Sequence, residues 1–104
     1  MNAIFIVRAT VAEADRAEFD KWYETEHLPD AKAAFGAVAA RRGWSEVDPG
    51  THVAVYEFAS LDAAQAIAAN DGSDQIKALI AEFDRVWQGR VTRTREIVAI
   101  TQNI

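Results

Sequence analysis

The sequence predicts an α+β domain in which helices cover one face of a four-stranded antiparallel sheet. Four runs rich in β-branched and aromatic residues have the composition of strands, and two longer stretches have helical periodicity. Along the chain they follow the order β-α-β-β-α-β, with the second helix broken. This order is the ferredoxin-like split βαβ arrangement, and the chain of 104 residues has the length of a single domain, residues 1–104.

The first half of the chain predicts one strand and one helix. Residues 3–10 form a strand that we expect to be buried on both faces, since apolar residues occupy both sets of alternating positions. Residues 13–26 form a helix with one stripe at i, i+3, i+4 and i+7: Phe19, Trp22, Tyr23 and Glu26. Pro29 predicts that the helix ends or kinks near His27, with a short helical turn over 30–35 before Gly36.

The second half predicts a hairpin, a broken helix and a last strand. Residues 37–47 and 51–59 are strands joined by a turn at 48–50. We expect Ser60 to cap a helix over 61–70, and Asp71-Gly72 to break it. The remaining elements are a helix from 73 or 74 to about 88, stopped by Gly89, and a strand over 91–102.

Composition excludes several classes of function. The net charge is -5, whereas nucleic-acid-binding proteins present a basic surface. The chain has no cysteine, which excludes disulfides, thiolate metal sites and iron–sulfur clusters. No apolar run approaches the length of a membrane span, and the N-terminus lacks the features of a secretion signal. We therefore expect a cytoplasmic protein with neither nucleic acid nor a membrane as partner.

Both faces of the predicted sheet carry apolar residues. In the third strand, Val53 and Val55 lie on one face, and Ala54, Tyr56 and Phe58 lie on the other. Helices can cover only one of these faces, and an exposed apolar sheet is a contact site. We expect a second copy of the chain to cover the open face in a two-fold homodimer. The alternative is a monomer whose loops cover that face.

Residues 19–30 carry a resemblance to a known family. The segment FDKWYETEHLPD has an aromatic pair, Trp22 and Tyr23, followed by His-x-Pro at His27 and Pro29. It resembles the dimeric α+β barrel superfamily and, within it, the EthD-like proteins. The resemblance implies a face-to-face dimer with a small-molecule cleft between helices and sheet in each subunit. The superfamily includes cofactor-independent monooxygenases, lactone isomerases and haem-dependent enzymes, so it indicates fold far better than reaction.

The same segment contains the candidate catalytic residues His27, Glu26 and Asp30. Aromatic walls with a few convergent polar groups are typical of small-ligand pockets. His27 lies near a predicted helix C-terminus, where the dipole and either carboxylate would favour its protonated form. A histidine that titrates near neutrality can act as an acid or a base. The alternative is that Trp22 and Tyr23 belong to the core and His27 caps the helix.

The candidate substrate-binding residues are Trp22, Tyr23, Tyr56, Trp44 and Arg8. Trp44 and Tyr56 lie on the hairpin strands and line either the cleft or the dimer interface, the core or the interface being favoured for Trp44. Arg8 interrupts an apolar strand. It binds an anionic or carbonyl substrate or, as we favour, pairs with a carboxylate such as Glu57.

The remaining charged residues favour structural roles and no cofactor. We expect the arginines on the predicted edge strands to block unwanted strand pairing; they are Arg41, Arg42, Arg93 and Arg95. We expect His52 to lie on the surface. Two histidines without cysteine or a carboxylate cluster predict no metal site, and a single histidine is no haem signature.

Three functions are compatible with these features. The first is a small cofactor-independent enzyme of the monooxygenase, isomerase or dehydratase type, acting on an apolar or aromatic metabolite. The second is a non-catalytic small-molecule-binding dimer that uses the same cleft. The third is a dimer whose apolar faces are purely structural.

Overall fold

The sheet has four antiparallel strands in the spatial order β2-β3-β1-β4. The computed structural model describes residues 2–68 and 74–104. The strands are β1 (Ala3–Val11), β2 (Ala39–Trp44), β3 (Thr51–Phe58) and β4 (Val91–Ala99). The predicted α+β ferredoxin-like fold is confirmed, and β2 and β4 are the edge strands, as expected.

The described helices all contribute to one layer over the sheet. A short 3₁₀ turn (Glu13–Asp15) leads into α1 (Arg16–Trp22). A wide π-helical turn (Tyr23–His27) joins α1 to α2 (Leu28–Phe35). The second crossover contains α3 (Leu61–Ala68) and α4 (Asp74–Trp87). The break predicted at Asp71-Gly72 lies outside the described residues.

The two faces of the sheet differ in burial. The helix-facing side holds the core, and in β3 it is fully buried at His52, Ala54, Tyr56 and Phe58. The opposite side, here called the open face, carries Ile4 and Ile6 of β1, which are only half-buried. The predicted alternation in β3 is confirmed. Burial of β1 on both faces would require a partner, because nothing in the described part of the chain covers the open face.

The first helical rod continues past Pro29 and is bent, so the kink is confirmed and the alternative, an end at His27, is wrong. Pro29 has no N–H to offer the carbonyl four residues earlier, which interrupts ordinary α-helical winding. The wide turn bridges this point, because the Leu28 N–H bonds the Tyr23 carbonyl, five residues earlier. Proline is well tolerated in the first turn of α2, which follows.

The wide turn changes which residues face the sheet. Ordinary helical winding from Phe19 would bring Glu26 inward, as the sequence predicts. The wide turn accommodates one additional residue, so the buried positions run at steps of four: Phe19, Tyr23, His27 and Ala31. Glu26 is exposed as a result.

The predicted helix caps are present. Gly36 ends α2 in the left-handed region, at φ 66°, as glycine does most readily. The Ser60 hydroxyl accepts a hydrogen bond from the Ala63 N–H at 3.2 Å, which is the expected N-cap of α3. Within residues 2–68 and 74–104, no helix has the length and apolarity needed to cross a membrane.

Candidate functional site

A small cavity lies between the helical layer and the sheet, and we call it the inner cavity. Its polar side chains converge from three elements: Tyr23 and His27 from the wide turn, Tyr56 from β3, and Arg93 and Arg95 from β4. Apolar side chains, including Leu79 of α4, form the rest of the wall. The cavity volume is about 20 Å³, which is enough for one water molecule.

His27 is the buried imidazole of this cavity. Its ring stacks on Trp22, with centroids 4.7 Å apart and planes 18° apart, and lies 4.8 Å from the Tyr23 ring. The stack depends on the wide turn, because residues five apart on an ordinary α-helix point about 140° away from each other. Trp22 therefore supports His27 from behind and does not line the cavity.

Burial lowers the pKa of His27 to about 4, and the positive charges of Arg93 and, more weakly, His52 act in the same direction. The expectation that His27 favours its protonated form is wrong. The helix does not end at His27, so no C-terminal dipole acts on it. At neutral pH the imidazole is uncharged and can accept a proton.

The two carboxylates expected beside His27 lie elsewhere. Glu26 and Asp30 are both exposed, and neither lines the inner cavity. Among the described residues, no hydrogen bond joins either carboxylate to His27. Asp30 borders a separate surface groove between α2 and α4.

Two buried tyrosines form a pair in the inner cavity. The Tyr23 and Tyr56 hydroxyl oxygens are 3.5 Å apart. Burial raises the pKa of both phenols, so both remain protonated and can donate hydrogen bonds. Both residues were predicted as substrate-binding candidates, and the structure brings them together with His27.

Arg93 has a position that the edge-strand interpretation does not anticipate. Its guanidinium carbon lies 3.9 Å from the centroid of the Phe83 ring, and its Nη2 atom lies 3.4 Å from Oδ1 of Asp84. The side chain thus folds toward the helices and borders the cavity. Strand alternation could have located it, because Arg93 is four residues from Ile97, which packs against the core, and residues an even number apart in a strand share a face.

A second polar cluster packs behind Tyr23. Arg42 donates to Oδ1 of Asp20 at 2.8 Å, and its Nη1 atom lies 3.3 Å from Nε2 of His52. Trp44 donates to the same Asp20 oxygen at 2.8 Å, so it contacts the helical layer and not the inner cavity. The bond to Arg42 requires His52 Nε2 to be an acceptor, which specifies a neutral ring with its proton on Nδ1.

His52 is 1% exposed, so its predicted surface position is wrong. Burial lowers its pKa to about 4, and the Arg42 charge adds to this effect. Its ring lies 4.4 Å from the Tyr23 ring. The period-two alternation of β3, which correctly places Ala54 and Tyr56 inward, also places His52 inward.

Arg8 lies on the open face, away from the cavity. Its Nη1 atom is 2.7 Å from Oε1 of Glu96, in the adjacent strand β4. The favoured pairing of Arg8 with a carboxylate is therefore confirmed, but the partner is not Glu57, which pairs with Arg41 at 2.9 Å. Strand register decides the partner, and register between distant strands is invisible in one sequence.

The described residues contain no group of three histidine, cysteine or acidic side chains able to hold a metal ion.

Solved structures of similar architecture cover nearly the whole chain. A variant of SnoaB, a cofactor-independent oxygenase from Streptomyces nogalater, has 20% identity and a TM-score of 0.62 over 99% of this chain and 96% of its own. An ethyl tert-butyl ether degradation (EthD) family protein from Bacillus halodurans has 16% identity and a TM-score of 0.68 over 92% and 97%. A NIPSNAP family protein from Agrobacterium tumefaciens has 14% identity and a TM-score of 0.63 over 95% and 93%.

The chain has the ferredoxin-like α+β fold of these proteins, so its resemblance to the dimeric α+β barrel superfamily is confirmed at the level of the fold. No protein-family model and no curated protein sequence matches it. At these identities the likeness extends to the fold alone, and the same fold carries many unrelated functions. Function must therefore be derived from the site.

Proposed function

We propose that the chain is a small cofactor-independent enzyme that removes a proton from an apolar or aromatic metabolite in the inner cavity. The observation that carries this proposal is the convergence of a neutral, buried His27 with the Arg93 guanidinium and two protonated tyrosines. A base, a cation and two hydrogen-bond donors are what the formation of an enolate or phenolate requires.

In this proposal His27 accepts the proton from an acidic C–H or O–H group of the substrate. The electron pair of the broken bond stays on the substrate as an enolate or phenolate, and Arg93 and the tyrosine hydroxyls stabilise that charge. A pKa of about 4 makes free His27 a weak base. The substrate anion raises this pKa when it forms beside the imidazole, because an opposite charge favours the imidazolium.

Isomerisation, dehydration and oxygenation by O₂ can each begin with this proton transfer. SnoaB is described as a cofactor-independent oxygenase, which supports oxygenation as a chemistry that this fold can host. The proposed function is the step that these three reactions share, the transfer of a proton from the substrate to His27.

Non-catalytic binding is the second candidate function, because the aromatic and hydrogen-bonding groups that line the cavity can hold a small molecule without reacting with it. Ligand pockets typically have volumes of about 300–1,000 Å³, whereas the inner cavity has about 20 Å³. A substrate must displace side chains to enter. A protein that only binds a small apolar molecule has the same requirement, so measurements of turnover must separate the two functions.

Hydrogen exchange on a model carbon acid tests the proposed first step. The probe is 2-tetralone, a bicyclic ketone with acidic C–H bonds, and deuterium uptake from D₂O is followed by NMR. We expect the protein to accelerate the exchange and His27→Gln to lower the accelerated rate by about 10²–10⁴-fold. The pH profile of kcat/KM should be flat from pH 5 to pH 7 and fall near the His27 pKa of about 4.

Two sets of variants complete this test. His52→Gln changes the other buried histidine, which does not line the cavity, and should preserve most of the rate. Glu26→Gln and Asp30→Asn should change the rate less than tenfold, because both carboxylates are exposed. Binding of 2-tetralone without any exchange above the His27→Gln level would support the binding function and overturn the catalytic one.

We also propose that two copies pack through their open faces. Ile4, Ile6, Val53 and Val55 are half-buried there, and Val98 is 37% exposed. Light scattering at micromolar concentration should give twice the chain mass of 11.5 kDa. Ile6→Asp would bury a charge in this interface and should yield monomers, whereas a native protein of single-chain mass would contradict the proposal.

A further inference from the structure

A surface groove between α2 and α4 shares one wall with the inner cavity. This outer groove has a volume of about 220 Å³ and is bordered by Asp30, Ala33 and Ala34 of α2 and by Ala78, Leu79 and Glu82 of α4. Leu79 is also part of the wall of the inner cavity, and only 9% of it is exposed. Its side chain therefore separates the two spaces.

We propose that the outer groove is a second subsite of the same binding site and that Leu79 determines how far a ligand extends into it. The ligand class is an aromatic ring that carries a side chain. The ring occupies the inner cavity beside His27, and the side chain, which is neutral or cationic, passes Leu79 into the groove. This inference deepens the proposed function and rests on it for the position of the ring.

The small volume of the inner cavity is the first reason to treat the cavity and the groove as one binding site. The inner cavity, at about 20 Å³, cannot hold a ring without side-chain movement, while the groove offers about 220 Å³ of open space beside it. In this proposal a change of the Leu79 rotamer joins the two spaces, whose combined volume approaches the lower end of the range for ligand pockets.

The residues of the groove give the second reason. Ala33, Ala34 and Ala78 face one another across α2 and α4, so the two helices leave a channel where larger side chains would fill the space. Such a channel leads from solvent directly to the Leu79 side chain. Ile76, the neighbouring core residue one turn earlier on α4, borders neither space.

Charge at the rim indicates the chemistry of the ligand's side chain. Asp30 and Glu82 lie on opposite walls, and no basic residue borders the groove within the described part of the chain. The nearest cation to Glu82 is Arg85, at 4.0 Å, and both side chains are largely exposed. Two carboxylates across a groove favour an ammonium or a hydrogen-bond donor and disfavour a carboxylate.

Three phenols that differ in the substituent opposite the hydroxyl group, here called the tail, test the inference. The tail of p-cresol is only a methyl group, that of tyramine ends in an ammonium, and that of 3-(4-hydroxyphenyl)propanoate ends in a carboxylate. Kd is measured by NMR titration of the protein. We expect tyramine to bind about three- to tenfold more tightly than the propanoate. Asp30→Asn combined with Glu82→Gln should reduce that difference to less than twofold.

Matched variants on α4 locate the tail. Ala78→Phe fills the groove and should bring the Kd of tyramine to that of p-cresol, while leaving p-cresol itself unchanged. Ala81→Phe places the same bulk on an exposed position outside the groove and should change neither. Leu79→Ala removes the side chain that separates the two spaces and should lower the Kd of tyramine more than that of p-cresol.

Two results would overturn the second subsite: equal affinities of tyramine and p-cresol, or equal effects of Ala78→Phe and Ala81→Phe. Either result leaves the exchange activity of His27 intact, so it refutes the groove without refuting the proposed function. Conversely, exchange that is indifferent to His27→Gln refutes the catalytic proposal, while a tail-dependent Kd would still support the groove.

Discussion

Two buried histidines make the stability of this fold depend on pH. His27 and His52 each have a pKa of about 4 in the folded chain, against an ordinary value of 6.5. Between these values the unfolded chain binds more protons than the folded one, so the free energy of unfolding rises with pH. The contribution of the two neutral histidines to the free energy of unfolding is fully present above pH 6.5 and is lost as the pH falls toward 4.

The magnitude follows from the size of the pKa change. A shift from 6.5 to about 4 in the folded state corresponds to about 3 kcal/mol for each histidine. The two together approach half or more of the total stability of a typical domain, which is about 5–15 kcal/mol. Asp20 does not affect the stability in this pH range. Its pKa is lowered in the folded chain, so its contribution to the free energy of unfolding is lost only as the pH falls below the ordinary value of 3.8.

Urea denaturation between pH 4.5 and pH 7.5 measures this dependence. We expect the free energy of unfolding to fall by several kcal/mol over the range in the natural sequence. His27→Gln and His52→Gln should each remove about half of the fall, because glutamine does not titrate. The double variant should be nearly independent of pH above 4.5. A double variant whose stability declines as steeply as that of the natural sequence would refute the assignment of low pKa values to these rings.

Three further predictions concern stability and are checked by chemical denaturation at pH 7. Gly36→Ala should cost about 1–2 kcal/mol because its φ is 66°, whereas Gly43→Ala, with open space around it and no positive φ, should have little effect; equal costs would contradict this reasoning. Phe19→Ala should cost about 3–5 kcal/mol, since Phe19 is fully buried and packs against both Trp87 and His52; a loss below 1 kcal/mol would contradict its central position. Ser60→Ala should cost about 1 kcal/mol by removing the cap of α3, and an unchanged stability would show that the cap contributes nothing.

The fold was largely predictable because strand alternation and breakers act locally. The alternation in β3 correctly separated the core side from the open face, and Gly36 ended a helix where expected. The strand ends were less accurate: β2 covers Ala39–Trp44 against the predicted 37–47, and β4 ends at Ala99 against 102. Hydrogen-bond pairing with a neighbour decides such ends, and composition alone does not contain it.

The site was predictable only in part, because two non-local effects shaped it. The structure brings two candidates from the segment 19–30, Tyr23 and His27, together with Tyr56 of β3, but the wide turn moves Glu26 outward. A prediction from helical periodicity assumes regular winding, so it does not detect the one additional residue of the wide turn. Arg93 enters the cavity from the opposite end of the chain, so its proximity to His27 depends on the packing of β4 beside β1.

The wide turn also has a consequence for how this rod can vary in length. It holds a surplus residue between two segments that both keep their apolar sides against the sheet. A chain one residue shorter within Tyr23–His27 could wind normally and still seat Phe19 and Ala31 in the core. Removal of a residue anywhere else in the rod would rotate half of it away from the sheet. The turn is therefore the place where this architecture can absorb a change of length, and such a change would reshape the inner cavity without disturbing the packing of the core.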